Sequence, residues 1–356
     1  MLYPRGEATL SDEQWRTLEI VTRTASALSA LGVVVIIATF CCSRHFRNPM
    51  HRLIFINAFF NAFDVVCTMI SISGPKAGNL SALCQFQAFL NQMFPVADVL
   101  WTLAMAVNVF LIVFRGYSTE SLRRLEWKYL AFITTVTFIP AFTFLFIRTD
   151  GKGPMYGSVT LWCAIAPKWV LFRIVCYYVP IWSTILITLV LYCLVGLEIV
   201  KRRRALKCFT NDSVALDDTV LLTSTTAMTV KSHTIDSETG DMPTSHSTDK
   251  SFHTASKSSA SVPRHLPSSR RPYLSFRQYV LMPLLFFLGL LSVWAAPTTN
   301  RFASFINPSF SSFPLLLAVG ATGSLRGFWN GLVFITMGMK SWKRQKHLEQ
   351  VALHSM

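Results

Sequence analysis

Three ionisable side chains lie inside otherwise apolar stretches of this sequence, and theirs is the chemistry that stands out. Asp64, Asp98 and Arg326 are each flanked by long hydrophobic runs. A charge inside a lipid bilayer is costly unless it is paired or hydrated, so each is a functional candidate by default. We expect Arg326 to face one or both aspartates, and Asn330 can add a hydrogen bond between helices. Such a cluster can be a fixed structural lock, a switch that ligand binding rearranges, or the path of a transported ion.

No residues with the spacing of a catalytic site accompany them. The sequence has no intramembrane carboxylate paired with histidine, no histidine and cysteine set at metal-ligand spacing, and no phosphate-binding glycine loop. The eight histidines lie beside the first loop, in a long polar segment or in the tail, which argues against an intramembrane metal hydrolase. Residues 313–338 contain no lysine for the retinal Schiff base of a microbial rhodopsin. We therefore expect no enzyme activity, no cofactor and no metal site.

The elements that must position these residues are seven apolar stretches, each long enough to cross a bilayer. A hydrocarbon core of about 30 Å requires about 20 residues of helix. The sequence therefore predicts an all-α membrane protein, a bundle of seven transmembrane helices surrounded by the lipid bilayer. The stretches cover residues 20–42, 50–73, 86–114, 128–147, 170–199, 278–297 and 313–338.

Basic residues in the loops predict the orientation of this bundle. The 33 lysines and arginines lie mostly in alternate loops and in the C-terminal tail, so the positive-inside rule puts the N-terminus outside and the C-terminus in the cytoplasm. We expect a multi-pass protein of the plasma membrane, and we read the net charge of +15 as a result of this topology and not as a sign of nucleic-acid binding. Basic residues at the cytoplasmic helix ends are candidates to face a partner: Arg115, Arg123, Arg124, Lys201, Arg202, Arg203 and Arg204.

Two cysteines fall on the predicted outer side. Cys84 lies just before the third stretch and Cys163 lies in the loop before the fifth. Because that side is oxidising, we expect a disulfide between them, the alternative being two free thiols. Asn79, in the sequence Asn-Leu-Ser, is a glycosylation site on the same side, whereas the similar sequence at Asn211 is predicted to be cytoplasmic.

The remaining segments complete the predicted organisation. Residues 201–275 are rich in serine and threonine and poor in large apolar residues, so we expect disorder there, with kinases as partners or with no role as the alternative. Residues 1–19 are polar, which argues against a cleaved signal peptide, and are too few for a ligand-binding ectodomain. The predicted parts are the outer N-terminus 1–19, helices one to five in 20–200, the long cytoplasmic loop 201–275, helices six and seven in 276–338, and a basic tail 339–356.

Short motifs along the helices resemble a known family. The third stretch has "WTLAMAVNVFLIV", the second outer loop "LWCAI", the fifth stretch "FRIVCYYVPIW", the segment after the sixth "TNRF" and the seventh "GFWNGLVF". In this order they resemble the cyclic-AMP-receptor-like G-protein-coupled receptors of slime moulds and fungi, which are distantly related to secretin-type receptors. The residues that carry the resemblance are Trp101, Thr102, Trp162, Arg173, Tyr178, Pro180, Asn300, Arg301, Gly327 and Phe328.

The resemblance implies a receptor that senses a small extracellular ligand and activates a heterotrimeric G protein, with an effect on cyclic-AMP signalling. It does not identify the ligand, which we expect to be a nutrient or nucleotide-like molecule. An anionic phosphate would require a cluster of basic side chains at the outer mouth. The candidates there are Lys76, Arg148, Lys168, Arg173 and Arg301. The alternative function is a transporter or channel that uses Asp64, Asp98 and Arg326.

Overall fold

The structure is a computed structural model that describes residues 10–43, 49–227, 276–306 and 312–354. Its α-helices are α1 (Asp12–Cys42), α2 (Pro49–Ile70), α3 (Ser73–Ala77), α4 (Ala82–Arg115), α5 (Thr119–Thr143), α6 (Val170–Arg173), α7 (Val179–Ala227), α8 (Phe276–Ile306), α9 (Phe313–Gly323) and α10 (Arg326–His354). A short 3-10 helix precedes α6, and a π-helical turn, Ile174–Tyr178, joins α6 to α7.

Several helices are long and apolar enough to span a membrane, so this is a multi-pass membrane protein. Among the described residues there are five such segments: Asp12–Cys42, Met50–Ile70, Ala82–Arg115, Pro167–Arg202 and Val280–Ser304. They coincide with the first, second, third, fifth and sixth predicted stretches. α5 occupies most of the fourth stretch, and α9 is a shorter apolar helix at the start of the seventh. Seven spans and their orientation therefore remain predictions.

The seventh predicted stretch differs from the sequence prediction, because it is two helices and not one. α9 ends at Gly323, Ser324 and Leu325 form a turn, and α10 begins at Arg326. Glycines at 323 and 327 flank this turn, and glycine is about 1 kcal/mol less favourable than alanine within a helix. The break puts Arg326 in the first turn of a new helix.

Capping residues mark the ends of α1 and α4. Ser11 begins α1 with a capping box, in which its hydroxyl accepts from the Gln14 backbone and the Gln14 side chain accepts from the Ser11 backbone. Ser81 begins α4, and its hydroxyl accepts from the backbone N–H of Cys84. α4 ends at Gly116, which takes the left-handed conformation (φ 61°) that closes many helices.

Short antiparallel strands lie between α5 and α6, in a segment for which the sequence predicts a loop in an all-α fold. β1 (Arg148–Thr149) pairs with β2 (Gly153–Pro154), and β3 (Tyr156–Val159) pairs with β4 (Trp162–Ile165). Tyr156 is fully buried and its hydroxyl donates to the backbone oxygen of Ala141 at 2.9 Å. Burial raises the pKa of Tyr156 far above its ordinary value, so this hydroxyl stays a neutral donor.

α4 carries more buried residues than any other helix in the described part of the chain. It packs against α2, α5, α8 and strand β4. α1 packs against α2, α9 and α10. Glycines at the contact, Gly32 on α1 and Gly331 on α10, let the backbones of these two helices approach closely. A Cβ atom at Gly331 would lie 2.7 Å from the Cα atom of Gly32, so no larger residue fits there without a shift of the helices.

The chain divides into two compact units, Met1–Glu198 with Leu274–Met356, and Ile199–Tyr273. The described part of the second unit is the last portion of α7, which continues to Ala227. Residues 201–227 are thus helical where the sequence analysis expects disorder. Residues 228–275, the rest of that predicted loop, lie outside the described residues, as do residues 1–9 of the predicted N-terminus.

Candidate functional site

A cleft between α2, α4, the hairpin β3–β4, the π-helical turn, α8, α9 and α10 is the candidate site. Its volume is about 810 Å³ including the open mouth. The cleft lies towards the end of the bundle that carries Cys84 and Cys163, which we call the disulfide end. Its polar and aromatic lining comprises Asp64, Arg173, Arg301 and Arg326, then Asn91, Gln92 and Asn300, then Trp162, Tyr177, Tyr178 and Trp294.

The floor of the cleft is a buried ion pair between Asp64 and Arg326. Nη1 of Arg326 lies 2.7 Å from Oδ1 of Asp64, and the side chains are 9% and 6% exposed. The guanidinium also lies 5.3 Å from the ring centroid of Trp294, within the range of a cation–π contact. The sequence left open whether Asp64 or Asp98 pairs with Arg326, and the structure assigns the hydrogen-bonded ion pair to Asp64.

Asp98 does not line the cleft, although the guanidinium of Arg326 is close enough to attract its carboxylate. It is 3% exposed, and its Oδ1 accepts from the Nδ2 amide of Asn57 at 2.9 Å. The side chains of Asn61 and Asn330 are next to the same carboxylate. Asp98 follows the cleft-lining Gln92 by six residues, which is about 9 Å along a helix. The three predicted intramembrane charges thus form one ion pair and one carboxylate surrounded by amides.

The walls of the cleft bring Arg173 and Arg301 together. Cζ of Arg301 lies 5.7 Å from the ring centroid of Tyr178, and the two guanidinium groups are close enough to repel each other. Nε and Nη2 of Arg173 are buried and have no hydrogen-bond partner within the described part of the chain. With three arginines and one aspartate in its lining, the cleft has an excess of positive charge.

The other basic residues predicted for the outer mouth do not line the cleft. Lys76 lies 3.4 Å from Glu19, and Arg148 and Lys168 are exposed on the surface. Of the five basic residues predicted for the outer mouth, Arg173 and Arg301 line the cleft, and the sequence could not separate them from the other three.

The hairpin β3–β4 closes the disulfide end of the cleft. Cys84 and Cys163 form a disulfide that ties β4 to the start of α4. Gln87 reinforces this tie: its Oε1 accepts from the Cys163 backbone N–H at 2.9 Å, and its Nε2 donates to the backbone oxygens of Cys67 and Ser71 at 3.1 and 2.9 Å. The sequence analysis missed Gln87, although an amide inside an apolar helix one turn after a cysteine is the signal that could have found it.

The family-motif residues are partly structural. Trp101 is fully buried and its ring centroid lies 5.7 Å from that of Phe60. The Thr102 hydroxyl donates to the Asp98 backbone oxygen, and the Phe328 backbone N–H donates to the hydroxyl of Ser29. Gly327 faces Ser29 on α1, and Pro180 lies in the first turn of α7. Only Trp162, Arg173, Tyr178, Asn300 and Arg301 line the cleft.

The opposite end of the bundle has a second ion pair that the sequence analysis did not predict. Nη2 of Arg52 on α2 lies 2.8 Å from Oε2 of Glu126 on α5, and Glu126 is 2% exposed. Burial raises the pKa of Glu126, while the neighbouring Arg52 and Arg123 guanidinium groups oppose part of that rise.

The predicted partner-facing residues are exposed wherever their side chains are described. These are Arg115, Arg123, Arg124, Lys201, Arg202 and Arg204, whereas the Arg203 side chain lies outside the described residues. Asn79 is exposed at the disulfide end, and its Oδ1 accepts from the Ser158 backbone N–H at 2.8 Å. The described residues include no group of three or more histidine, cysteine or acidic side chains that could hold a metal ion.

Comparison with known proteins shows which family this chain resembles. The chain matches the slime mold cyclic AMP receptor family over residues 10–212. It is 25% identical over 183 residues to cyclic AMP receptor-like protein A of Dictyostelium discoideum, which is 51% of this chain and 46% of that protein. It is 24% identical over 163 residues to G-protein coupled receptor 1 of Arabidopsis thaliana, which is 46% of each. The chain thus spans about half the length of these relatives in the matched regions.

The fold of this chain is similar to that of a solved structure, squid rhodopsin. Squid rhodopsin superposes with a TM-score of 0.59, over 99% of this chain and 91% of that one, at 11% sequence identity. The family match includes Asp64, Asp98, Arg173 and both disulfide cysteines, while Arg301 and Arg326 lie beyond it.

Proposed function

This chain belongs to the slime mold cyclic AMP receptor family, and from this we propose that it is a G-protein-coupled receptor of the plasma membrane. Seven helices would cross the bilayer, with the disulfide end and Asn79 outside and the C-terminus in the cytoplasm. A small extracellular ligand would enter the cleft between the hairpin β3–β4 and the outer helix ends. The serine- and threonine-rich segment of residues 201–275 would be the substrate of kinases that regulate the response.

The charge of the cleft is the observation that carries the proposal, and it favours an anionic ligand. Arg173 and Arg301 repel each other, and two buried nitrogens of Arg173 have no partner among the described residues. A carboxylate or phosphate between the two guanidinium groups would relieve this repulsion and accept bidentate hydrogen bonds. Tyr177, Tyr178 and Trp294 supply flat apolar surface for the rest of the molecule.

The Asp64–Arg326 pair supplies a way for the ligand to favour one arrangement of the helices. Arg326 lines the cleft and holds α10 to α2 through Asp64. An anion that reaches the floor would compete with Asp64 for this guanidinium and so weaken the tie. A ligand shifts a conformational equilibrium only by its difference in affinity for the two states, and this competition provides such a difference.

A heterotrimeric G protein is the proposed partner at the opposite end. The exposed Arg115, Arg123 and Arg124 of the first unit supply positive charge that would attract acidic surface of the alpha subunit. Lys201, Arg202, Arg203 and Arg204, which belong to the second unit, are further candidates from the sequence. Through the alpha subunit the receptor would act on cyclic-AMP signalling.

The test is nucleotide exchange on purified alpha subunits by the full-length receptor in nanodiscs, with a panel of nucleotides, phosphates and organic acids. We expect a member of the panel to accelerate exchange, and Arg173→Gln and Arg301→Gln to weaken its potency at least about tenfold, as loss of a charged hydrogen bond does. Arg148→Gln, an exposed arginine outside the cleft, is the matched control and should keep the wild-type potency. A potent uncharged agonist that is insensitive to both cleft variants would contradict the anion assignment.

The second candidate function is a transporter or channel, favoured by the intramembrane charges Asp64, Asp98 and Arg326. It predicts ion or solute flux through purified protein in vesicles without any G protein. Flux together with a lack of exchange on several alpha subunits would replace the receptor proposal.

A further inference from the structure

A row of aromatic rings joins two guanidinium groups of the cleft. Cζ of Arg301 lies 5.7 Å from the ring centroid of Tyr178, which is 5.1 Å from that of Tyr177. The ring centroid of Tyr177 is 6.2 Å from that of Trp294, and Cζ of Arg326 lies 5.3 Å from the Trp294 ring. All five residues line the cleft. A flat molecule that packs along this row would therefore have a guanidinium group at each of its ends.

The unmet hydrogen bonds of the cleft are all of one kind. Among the described residues that line it, the buried side-chain polar atoms without a partner are Nε and Nη2 of Arg173, Nε of Arg326 and Nε1 of Trp294. Each of these nitrogens donates and cannot accept. Because buried polar groups almost always have partners, the four nitrogens indicate a ligand that brings acceptors to both ends of the row.

The two ends differ in charge. Arg173 and Arg301 repel each other, and the acidic residue that lines the described part of the cleft, Asp64, is hydrogen bonded to Arg326 instead. Arg326 also attracts the carboxylate of Asp98. A ligand carboxylate at Arg326 would therefore be repelled by two aspartates, whereas a neutral carbonyl would not. An anionic group fits between Arg173 and Arg301, and a neutral acceptor fits at Arg326.

We propose that the ligand is a flat aromatic carboxylic acid with one negative charge and a ring carbonyl at the opposite end. Its carboxylate lies between Arg173 and Arg301, and its rings pack along the aromatic row. Its carbonyl accepts from Nε of Arg326 and Nε1 of Trp294, so it shares the guanidinium with Asp64. This inference rests on the anion site proposed above and names the class of molecule that fills it.

Pairs of acids that differ only in the carbonyl test this inference. A fluorenone carboxylate is compared with the matching fluorene carboxylate, and a benzoylbenzoate with the matching benzylbenzoate; in the second member of each pair a methylene group replaces the ketone. Calorimetric titration of the purified full-length protein in nanodiscs gives the dissociation constants without a G protein. In at least one pair we expect the ketone to bind about tenfold more tightly than its methylene partner, as a hydrogen bond from a charged donor provides.

Substitutions at the two ends of the row should have different effects. Trp294→Phe removes the N–H and keeps a flat ring, so it should weaken binding of the ketone with little effect on its methylene partner. Trp182→Phe is the matched control, because the Trp182 indole N–H is also buried without a partner among the described residues, but Trp182 does not line the cleft. Arg301→Gln acts on the carboxylate and should weaken both members of a pair equally.

The wild type alone can contradict the inference, even if Trp294→Phe does not fold. Equal affinity for ketone and methylene in both pairs, or no saturable binding of any of these acids, would overturn it. A preference for the ketone that survives in Trp294→Phe would overturn it as well. Equal affinity within each pair together with weaker binding to Arg301→Gln would leave the anion site of the proposed function in place and remove only the carbonyl.

Discussion

Arg326 and Asp64 join the first turn of α10 to α2 across the floor of the cleft, with 2.7 Å between Nη1 and Oδ1. The two residues are 262 positions apart in the chain. Because α10 starts at Arg326, the position of this side chain depends on the break after α9. The pair is therefore both the lower wall of the proposed ligand site and a tie between two helices.

Removing one partner of this pair should cost more than removing both. Arg326→Gln or Asp64→Asn alone leaves a buried charge unpaired, and we expect each to lower the free energy of unfolding by about 3–5 kcal/mol. The double variant leaves no unpaired charge and should lose less than either single variant, which thermal unfolding of detergent-solubilised protein can measure. A coupling energy larger for Arg326→Gln with Asp98→Asn than with Asp64→Asn would contradict the observed pairing.

The disulfide should behave as a single unit. Cys84→Ser and Cys163→Ser should each reduce the free energy of unfolding by about 2–5 kcal/mol, and the double variant should be no worse than either. Surface expression is the measurement, with the free and exposed Cys193→Ser as control. Additive losses from the two single changes would argue against the bond.

Gln87 should matter more than another buried amide on the same helix. Gln87→Ala removes three hydrogen bonds that hold β4 and the end of α2, whereas Gln92→Ala removes one, from its Nε2 to the Cys176 backbone oxygen. We expect a loss of about 2–4 kcal/mol for Gln87→Ala and about 1 kcal/mol for Gln92→Ala, at about 1 kcal/mol per bond. Equal melting temperatures for the two variants would show that the hairpin is held mainly by the disulfide.

The Arg52–Glu126 pair should make stability depend on pH. Burial holds the pKa of Glu126 above its unfolded value, so its contribution to stability is complete below the unfolded pKa and is lost as the pH rises through the folded one. The wild type should therefore lose stability relative to Glu126→Gln between acidic and neutral pH. Melting temperatures across that range test this, with Glu120→Gln, an exposed residue of the same helix, as control. A constant difference between wild type and Glu126→Gln would be the contrary result.

A glycan at Asn79 would test the proposed orientation. If the disulfide end is outside, glycosidase treatment should shift the mobility of the wild type and not of Asn79→Gln. Ser81 belongs to the same glycosylation sequence and also caps α4, so Ser81→Thr keeps both roles and should remain glycosylated. Glycan at Asn211 instead would reverse the predicted topology.

Sequence patterns located most of these elements because hydrophobic length and charge are local properties. The ends of the third stretch, the pairing of Cys84 with Cys163, and the presence of Arg173 and Arg301 at one mouth all follow from such properties. The choice of Asp64 over Asp98 does not, because it depends on how α2, α4 and α10 rotate against one another. The break at Ser324 was missed because the hydrophobic pattern continues through it.

Asn330, which lies beside Asp98, was identified from the sequence only as a source of a hydrogen bond between helices. Asparagine has no spacing rule that reveals its partner, so the hydrogen bond from Nδ2 of Asn57 to Oδ1 of Asp98 could not be predicted from the sequence. Glu126 was missed for a related reason: its sequence position is that of an ordinary loop-side acid, and its burial depends on α2.

The turn between α9 and α10 has a mechanical consequence. Where an unbroken helix would continue its ladder of hydrogen bonds, the Phe328 backbone N–H donates to the Ser29 hydroxyl of α1 instead. α9 and α10 are therefore not one continuous helix, and a tilt of α9 need not produce an equal tilt of α10. Force applied at the mouth of the cleft would reach the far end through side chains, above all the Arg326 guanidinium, and much less through a continuous backbone.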